Sequence, residues 1–288
     1  MSAPVPSPGG SRRSGPFEYI KPDFPADAFA GTAPYYVRFR LPYPEKLLAD
    51  LVGRSRVTGR GRLLDLACGP GRLGVALSSS FSEVWAIDVE PEMIEAGKAE
   101  AARRGIGNIR WILGRVEDVH APASSFELVT AGEAFHRLDQ QVVAKQALQW
   151  LKPGGGFSSL GCYSILSARE PWQKSVLEVV RRWTGRLLQT CGSSEPRKPG
   201  VGPENDEWVM RDTGFEETAS HPFVETQDWT VESILGYLHS TSVCSRKVLG
   251  PNVGPFEADL RNALLEHGTS GSYREQIQWG YTFGRKPA

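Results

Sequence analysis

The chain has 288 residues, with 33 basic and 33 acidic side chains and a formal net charge of zero. This length fits one large domain or a core with an insertion, and the charge balance excludes a global basic field that would attract nucleic acid. The four cysteines are widely spaced, and no apolar run reaches the roughly 18 residues of a membrane span, so we expect no metal, no membrane association and a cytoplasmic location.

The N-terminal region changes character near residue 22. Residues 1–22 are rich in Pro, Gly and Ser, which predicts a disordered tail. Residues 23–55 hold an aromatic and basic stretch, followed by a helix that opens at Pro44. The aromatic stretch either contacts a ligand or packs on the edge of a sheet.

The segment from Arg62 to Glu90 organises the rest of the chain. It predicts a buried strand, a turn at Gly69-Pro70-Gly71, a helix and a second strand closed by Asp88. Glycines in such a turn let the backbone approach a ligand closely. Asp88 follows the turn by about 20 residues, the spacing at which an acid accepts hydrogen bonds from a ribose. These features predict an adenosine ligand.

The choice between adenosine cofactors depends on Asp65, at the end of the first strand. Gly69-x-Gly71-x-x-Gly74 matches the dinucleotide fingerprint, but a carboxylate beside that turn would repel a pyrophosphate and favour a ligand with a cationic amino group. The string LDLACGPG, residues 64–71, resembles the first motif of the class I S-adenosylmethionine-dependent methyltransferases. In that family the loop wraps the methionine half of the cofactor.

Three further stretches resemble later motifs of the same family, in the same order: residues 88–93, 126–136 and 151–157. Residues 114–118 occupy the position of another motif but carry Arg115 where members often have an acid. The resemblance implies S-adenosylmethionine as the cofactor. It also implies a set of cofactor contacts: Asp65, Ala67, Gly69, Gly71, Asp88, Val89, Met93, Val116, Glu117 and Ala131.

The fold class predicted from these segments is α/β, a Rossmann-like doubly wound sheet of seven strands, mostly parallel with an antiparallel C-terminal strand. We expect a single domain over residues 23–288, with a cofactor-binding core at 56–163 and a helical insertion or lid at 164–203. Residues 204–288 would complete the sheet. The insertion is predicted to hold a helix over residues 175–188 and a polar loop.

Methyl transfer is an in-line displacement in which a general base is needed when the nucleophile carries a proton of high pKa. His136 follows the fourth strand and is the first candidate for that base, with a positioning role as the alternative. Glu133 is the second candidate. The N-terminal segment resembles one that closes over the cofactor in small-molecule methyltransferases, which makes Tyr35, Tyr36 and Arg40 candidate substrate contacts. In its positioning role His136 is a further candidate substrate contact.

The predicted function is methylation of an O, N or C atom of a small, partly apolar molecule, as in bacterial natural-product methyltransferases. One alternative is a carboxylic acid acceptor held by Arg38, Arg40 or Arg137. Others are a non-catalytic S-adenosylmethionine-binding protein and an NAD-linked oxidoreductase. The N-terminal arm also suggests a homo-oligomer.

Overall fold

A computed structural model describes residue 25 and residues 27–185, 202–268 and 271–288. The described residues do not include the predicted tail, residue Leu187 of the predicted insertion helix or most of the polar loop of the insertion. The described chain forms one sheet whose strands are β1 (Arg62–Leu66), β2 (Glu83–Asp88), β3 (Ile109–Leu113), β4 (Phe126–Gly132), β5 (Leu151–Tyr163), β6 (Glu216–Thr230) and β7 (Ser272–Arg285).

The strand order is β3-β2-β1-β4-β5-β7-β6. Strands β1 to β5 pair in parallel, and β7 is antiparallel to both of its neighbours, β5 and β6. The predicted seven-stranded, mostly parallel α/β sheet is therefore confirmed. Because β1 and β4 begin the two halves of the sheet, their carboxyl ends border the crevice where open α/β sheets bind ligands.

The helices are α1 (Ala33–Phe39), α2 (Glu45–Ser55), α3 (Arg72–Leu77), α4 (Pro91–Arg103), α5 (Gln140–Trp150), α6 (Pro171–Thr184), α7 (Pro203–Thr213), α8 (Val231–His239), α9 (Arg246–Leu249) and α10 (Val253–Leu265). None of the helices in the described part of the chain is long and apolar enough to cross a membrane.

Two apolar clusters cover the two faces of the sheet. Leu63 and Leu128 belong to the cluster that includes α2, α6, α8 and α10, whereas their neighbours Leu64 and Val129 belong to the cluster that includes α5 and α7. Successive side chains of a strand point to opposite faces, so strands buried on both sides need apolar residues at every position. This is why the sequences of β1 and β4 are mostly apolar; their buried polar residues Asp65 and Thr130 hydrogen-bond to each other.

Helix α6 differs from the predicted insertion helix in both bounds and packing. It begins at Pro171, four residues before the predicted start, because Glu170 and Gln173 form a capping box at its N-terminus. Its Val176 and Val180 are fully buried in the cluster shared with α10, and Trp172 stacks near Tyr273 of β7 at 5.6 Å between ring centroids. The described part of the helix is therefore packed into the core, and a lid role for residues 164–203 stays a prediction.

A buried carboxylate fixes α6 to the sheet. Glu275 of β7 is 2% exposed and accepts hydrogen bonds from Gln173 Nε2 at 2.8 Å, Trp229 Nε1 at 2.7 Å and Ser164 Oγ at 3.2 Å. Burial raises the pKa of Glu275, and these donors act in the opposite direction. Strand β7, the loop after β5 and the start of α6 are thus held in one arrangement beside the crevice.

Candidate active site

The loop after β1 has the left-handed backbone that its glycines permit. Gly69 and Gly71 have φ of +56° and +69°, and Ala67 adopts a φ of 47°. Ala67 and Gly69 line a cavity at the carboxyl edge of the sheet, which we call the loop cavity. Gly71 does not line it. A side chain at Gly71 would collide with the ring of Trp111, so this glycine is required by packing and by the N-terminal cap of α3.

Asp88, at the end of β2, shapes the same loop and also borders the cavity. One carboxylate oxygen accepts the Gly69 N–H at 2.7 Å, and the other accepts the Glu90 N–H at 2.9 Å. Burial raises the pKa of Asp88, opposed by these backbone hydrogen bonds. Because a carboxylate oxygen accepts more than one hydrogen bond, both oxygens retain capacity for the hydroxyls of a ribose.

Asp65 lies beneath the loop, outside the wall of the loop cavity. Its carboxylate is 1% exposed, does not line the loop cavity, and accepts hydrogen bonds from Gly74 N–H at 3.0 Å and Thr130 Oγ1 at 2.8 Å. Burial raises the pKa of Asp65 to about 7. Asp65 therefore ties the start of α3 to β1 and β4 from below the loop, and its role as a cofactor contact stays a prediction.

The loop cavity encloses about 940 Å³ of empty space, including its mouth. Ten predicted site residues line it: Ala67, Gly69, Asp88, Val89, Met93, Val116, Glu117, Tyr36, Arg40 and Glu133. Predicted cofactor residue Ala131 does not, because it is fully buried within β4 one residue short of the cavity wall. Gly132 and Ala134 line the wall in its place.

The sequence prediction missed several wall residues of the loop cavity. Glu90 lies two residues after the end of β2 and is 7% exposed. Arg137, which the sequence offered only as a clamp for a carboxylic acid acceptor, lies in the short turn after β4. Their positions next to predicted residues were the available signal. The other wall residues without a predicted cofactor or substrate role are Pro25, Phe29, Gly114, Arg115 and Leu138.

The N-terminal segment closes one side of the loop cavity. Gly31 N–H donates to Glu92 of α4 at 2.8 Å, and the Arg137 guanidinium lies over the Phe29 ring at 4.6 Å. Tyr36 on α1 lines the cavity wall, and burial raises the pKa of its hydroxyl. The described part of the N-terminal segment is therefore a wall of the site.

Two other predicted residues of this segment point elsewhere. Tyr35 packs against His239 with ring centroids 5.3 Å apart, and its hydroxyl accepts from Arg246 at 3.4 Å, on the side of α1 that faces α8 and α9. Arg38 pairs with Glu232 at 2.7 Å, and its side chain is 69% exposed. Neither lines the loop cavity or the two cavities described next, so Tyr35 as a substrate contact and Arg38 as a carboxylate clamp stay predictions that this geometry does not support.

Glu133 lies where the loop cavity meets two other cavities. The first is the aromatic pocket, with about 300 Å³ of empty space, and the second is the sheet groove, with about 1390 Å³. The aromatic pocket is lined by Tyr36, Arg40, Leu41, Tyr43, Arg72, Glu133, Cys162, Tyr237 and Trp279. Of the residues described, Glu133 alone lines all three spaces.

The conformation of Glu133 is constrained by its contacts. Its φ is 58°, its Oε1 accepts the Cys162 N–H at 2.5 Å, and its Oε2 lies 3.7 Å from Arg40 Nη1. A left-handed backbone at a residue other than glycine costs energy and persists where surrounding contacts enforce it. The structure thus holds one carboxylate at the junction of the cavities.

His136 faces the sheet groove and does not line the loop cavity. The Arg137 Nε–H donates to its Nε2 at 3.2 Å, so the lone pair of that nitrogen is engaged. Desolvation by the groove wall and the Arg137 cation lower the pKa of His136, which leaves the imidazole neutral at pH 7. This geometry favours a positioning role over the predicted base.

Asp206 is a second acid of the groove, and its helix was predicted without a site role. Burial raises its pKa to about 7, opposed by hydrogen bonds from Ser159, Asn205 and Gln140. The Gln140 Nε2 donates to its Oδ1 at 3.1 Å, which links α5 to α7. A carboxyl group with a pKa near neutrality in a cavity wall is a functional-site candidate.

The loop cavity fits the nucleoside expected from the sequence. The backbone of Gly69 leaves the loop open to a ligand, Asp88 offers acceptors for a ribose, and buried Met93 offers an apolar contact to a base. Val116 and Glu117 lie in the short 3-10 turn after β3, in the stretch that occupies the position of a family motif. Glu117 Oε1 also accepts the Asp139 N–H at 3.3 Å, which orients its carboxylate.

A family model described as a methyltransferase domain matches residues 63–155 of this chain. Nocamycin O-methyltransferase of Saccharothrix syringae is 28% identical over 270 residues, which cover 88% of this chain and 94% of that protein. Demethylmenaquinone methyltransferase of Geobacillus kaustophilus is 31% identical over 110 residues, 37% of this chain. In that comparison the chain matches about half of the relative's length, 47%.

Among solved structures, a putative type II methyltransferase from Anaeromyxobacter dehalogenans shares the fold with a TM-score of 0.59. It is 20% identical, and the match covers 86% of this chain and 98% of that chain.

Proposed function

Because the chain belongs to the class I S-adenosylmethionine-dependent methyltransferases, we propose that it transfers a methyl group to an O, N or C atom of a small, partly apolar acceptor. The observation that carries this proposal is the shared wall at Glu133. The loop cavity, which fits the cofactor, meets the aromatic pocket and the sheet groove at this residue. An acceptor in either space would lie next to the cofactor.

We assign the cofactor to the loop cavity. Asp88 would hold the ribose, Met93 and Val116 the adenine, and the backbone of residues 67–69 the methionine half. When bound, S-adenosylmethionine supplies an activated methyl group as the electrophile. The chain's contribution is then to orient the acceptor in line with that group and to exclude water from the site, which Tyr36 and Phe29 support from the N-terminal wall.

Glu133 is the best-placed proton acceptor in this scheme. An acceptor oxygen or nitrogen that gains the methyl group must lose its proton, and a carboxylate within hydrogen-bond reach can receive it. Glu133 Oε2 lies 3.7 Å from Arg40 Nη1, a long ion pair that leaves this oxygen lone pairs for an acceptor. His136 would instead position the acceptor from the groove.

The aromatic wall of the acceptor side supports a small organic molecule as the acceptor. The walls of the aromatic pocket include the rings of Tyr36, Tyr43, Tyr237 and Trp279, and Trp279 is 5% exposed. Flat apolar groups pack favourably on such surfaces. The similarity to nocamycin O-methyltransferase supports an acceptor of the natural-product type.

A carboxylic acid acceptor is a second candidate, favoured by the cations of the acceptor side. Arg40 and Arg72 both line the aromatic pocket, where Glu133 is the one acid among its described wall residues. Arginine binds carboxylates with two parallel hydrogen bonds. In this version the acceptor needs no base because its nucleophile is already ionised.

Turnover tests the proposal and separates it from cofactor binding without catalysis. The protein would be incubated with S-adenosylmethionine and a panel of phenols, amines and aromatic carboxylic acids, and products would be identified by mass spectrometry. We expect an acceptor that gains one methyl group, with matching release of S-adenosylhomocysteine. Cofactor binding with no methylated product across a broad panel would favour the non-catalytic alternative.

A further inference from the structure

The aromatic pocket contains two cations and one anion among its described wall residues: Arg40, Arg72 and Glu133. The two arginines differ in their partners. Arg40 donates from Nε to Ser240 Oγ at 2.9 Å, pairs with Glu133 at 3.7 Å, and lies between the Tyr36 and Tyr237 rings at 4.8 Å from each centroid. Its charge and most of its donors are therefore already engaged.

Arg72 is the unmatched cation of the pocket. Its Nη1 donates a hydrogen bond to the Tyr36 carbonyl at 3.5 Å, the outer limit for such a bond. No carboxylate of the described residues lies within 4.0 Å of the Arg72 guanidinium. Neighbouring Arg104 instead pairs with Glu100 at 2.5 Å. A partly buried guanidinium without a counter-ion is costly, so this arrangement suits a site whose anion arrives with a ligand.

The surroundings of Arg72 define the chemistry of that anion. The pocket is small, with about 300 Å³ of empty space, and the hydroxyl-bearing rings of Tyr36 and Tyr43 stand in its wall. A planar guanidinium fork beside aromatic rings matches a carboxylate, which is planar and accepts two parallel hydrogen bonds.

We infer that Arg72 binds a carboxylate of a ligand in the aromatic pocket and thereby acts as a specificity-determining residue. The inference rests on the proposed function. Two sources supply the same chemistry: the carboxylate of the cofactor's methionine half, which would enter from the loop cavity, or the carboxylate of an acceptor. In either case Arg72 fixes one end of a ligand while Glu133 faces the reacting end.

Calorimetric titration distinguishes the cofactor as the source. S-adenosylhomocysteine and methylthioadenosine, which lacks the amino-acid end, would be titrated into wild type, Arg72→Gln, Arg72→Lys and the control Arg104→Gln. If the cofactor carboxylate binds Arg72, Arg72→Gln should weaken S-adenosylhomocysteine by about 10-fold to 100-fold, the range for a hydrogen bond to a charged group, and leave methylthioadenosine unchanged. Arg72→Lys should recover part of the affinity, and circular dichroism would verify that each variant is folded.

Ligand-observed fluorine NMR tests the acceptor as the source. Fluorobenzoate and the neutral fluorobenzamide would be added to the protein saturated with S-adenosylhomocysteine. If an acceptor carboxylate binds Arg72, the wild type should bind fluorobenzoate more tightly than fluorobenzamide. Arg72→Gln should weaken the binding of fluorobenzoate by about 10-fold or more and so remove that preference. Arg104→Gln should keep it.

The two experiments overturn the inference on distinct results. A folded Arg72→Gln that binds every one of these ligands as the wild type does would exclude a carboxylate partner. Equal losses for S-adenosylhomocysteine and methylthioadenosine would assign Arg72 to support of the loop instead. A wild type that binds neither nucleoside would overturn the proposed function, and the assignment of Arg72 with it.

Discussion

At the scale of single residues, Glu133 and His136 are neighbours in the chain that face different spaces. The Glu133 backbone is left-handed, which directs its carboxylate to the junction of the loop cavity, the aromatic pocket and the sheet groove. His136 faces the groove, and its Nε2 already accepts a hydrogen bond from Arg137. The two side chains are therefore separable by mutation.

Isosteric substitution at these positions tests which residue receives the proton. Glu133→Gln keeps the shape and an acceptor for the Cys162 N–H but removes the base, so with a protic acceptor we expect kcat/KM to fall by about 100-fold or more. His136→Gln should change it by less than about tenfold and mainly through KM, as expected for a positioning residue. Steady-state kinetics with the acceptor found by screening would measure both.

The reverse order of effects would contradict this assignment. If His136→Gln lowered kcat more than Glu133→Gln, the histidine would be the base, and its contact with Arg137 would have to open during turnover. Cofactor titration of both variants provides the control, since neither substitution should change the fold of the loop cavity.

At the scale of elements, α5 and α7 are joined by a buried polar contact below the sheet groove. Asp206 of α7 accepts from Gln140 of α5, and Asn205 Nδ2 donates to Gln140 Oε1 at 3.0 Å. Burial raises the pKa of Asp206 to about 7, so the folded protein retains a proton that the unfolded chain has already lost. The stability that the contact between α5 and α7 contributes should therefore depend on pH.

Between the unfolded pKa of about 3.9 and the folded value, the native state binds more protons at Asp206 than the unfolded state does. Its contribution to the free energy of unfolding therefore falls as pH rises through this window. Asp206→Asn removes the ionisation, so its stability relative to wild type should rise by on the order of 3 kcal/mol from pH 4 to pH 7 and level off above that.

Urea denaturation at a series of pH values measures this difference. Asp212→Asn is the matched control, because Asp212 lies on the exposed side of α7 and bonds Gln141 at 3.3 Å at the surface. The free energy of unfolding of Asp212→Asn should follow that of the wild type at every pH. A pH-independent difference between Asp206→Asn and wild type would mean that Asp206 is ionised throughout in the folded protein.

Helix α6 shows that the structural role of a helix depends on which residues it packs against. Its apolar stripe and length predicted a helix, and a connection longer than the sheet required suggested a lid. The partners that decide its role, Glu275 and Tyr273, lie about 100 residues later in the chain. Sequence spacing alone cannot reveal contacts at that separation.

At the scale of the whole molecule, the parts predicted best are those set by local rules. The glycine loop, the position of Asp88 and the alternating apolar residues of β7 follow from backbone conformation and strand periodicity, and the predicted sheet is confirmed. The site residues predicted from neighbouring positions were less accurate. Tyr35 and Tyr36 are adjacent on α1 but project to different sides, which only the packing of α1 decides.

Asp65 shows a further limit of motif reading. The acid stands at the family's position, yet Gly74 and Thr130 use both of its oxygens inside the protein. Thr130 lies 65 residues away on β4, so its contact depends on the order of strands in the sheet. Position within the motif therefore predicted the residue's importance to the loop, but not its hydrogen-bond partners.

The central claim is that the loop cavity binds S-adenosylmethionine through Asp88. Calorimetric titration of the wild type with S-adenosylhomocysteine, with NAD in a parallel cell, tests it most directly. We predict micromolar binding of S-adenosylhomocysteine, no binding of NAD, and a loss of about 10-fold or more in Asp88→Ala with the fold retained. Binding of NAD in place of S-adenosylhomocysteine, or unchanged affinity in a folded Asp88→Ala, would contradict the account.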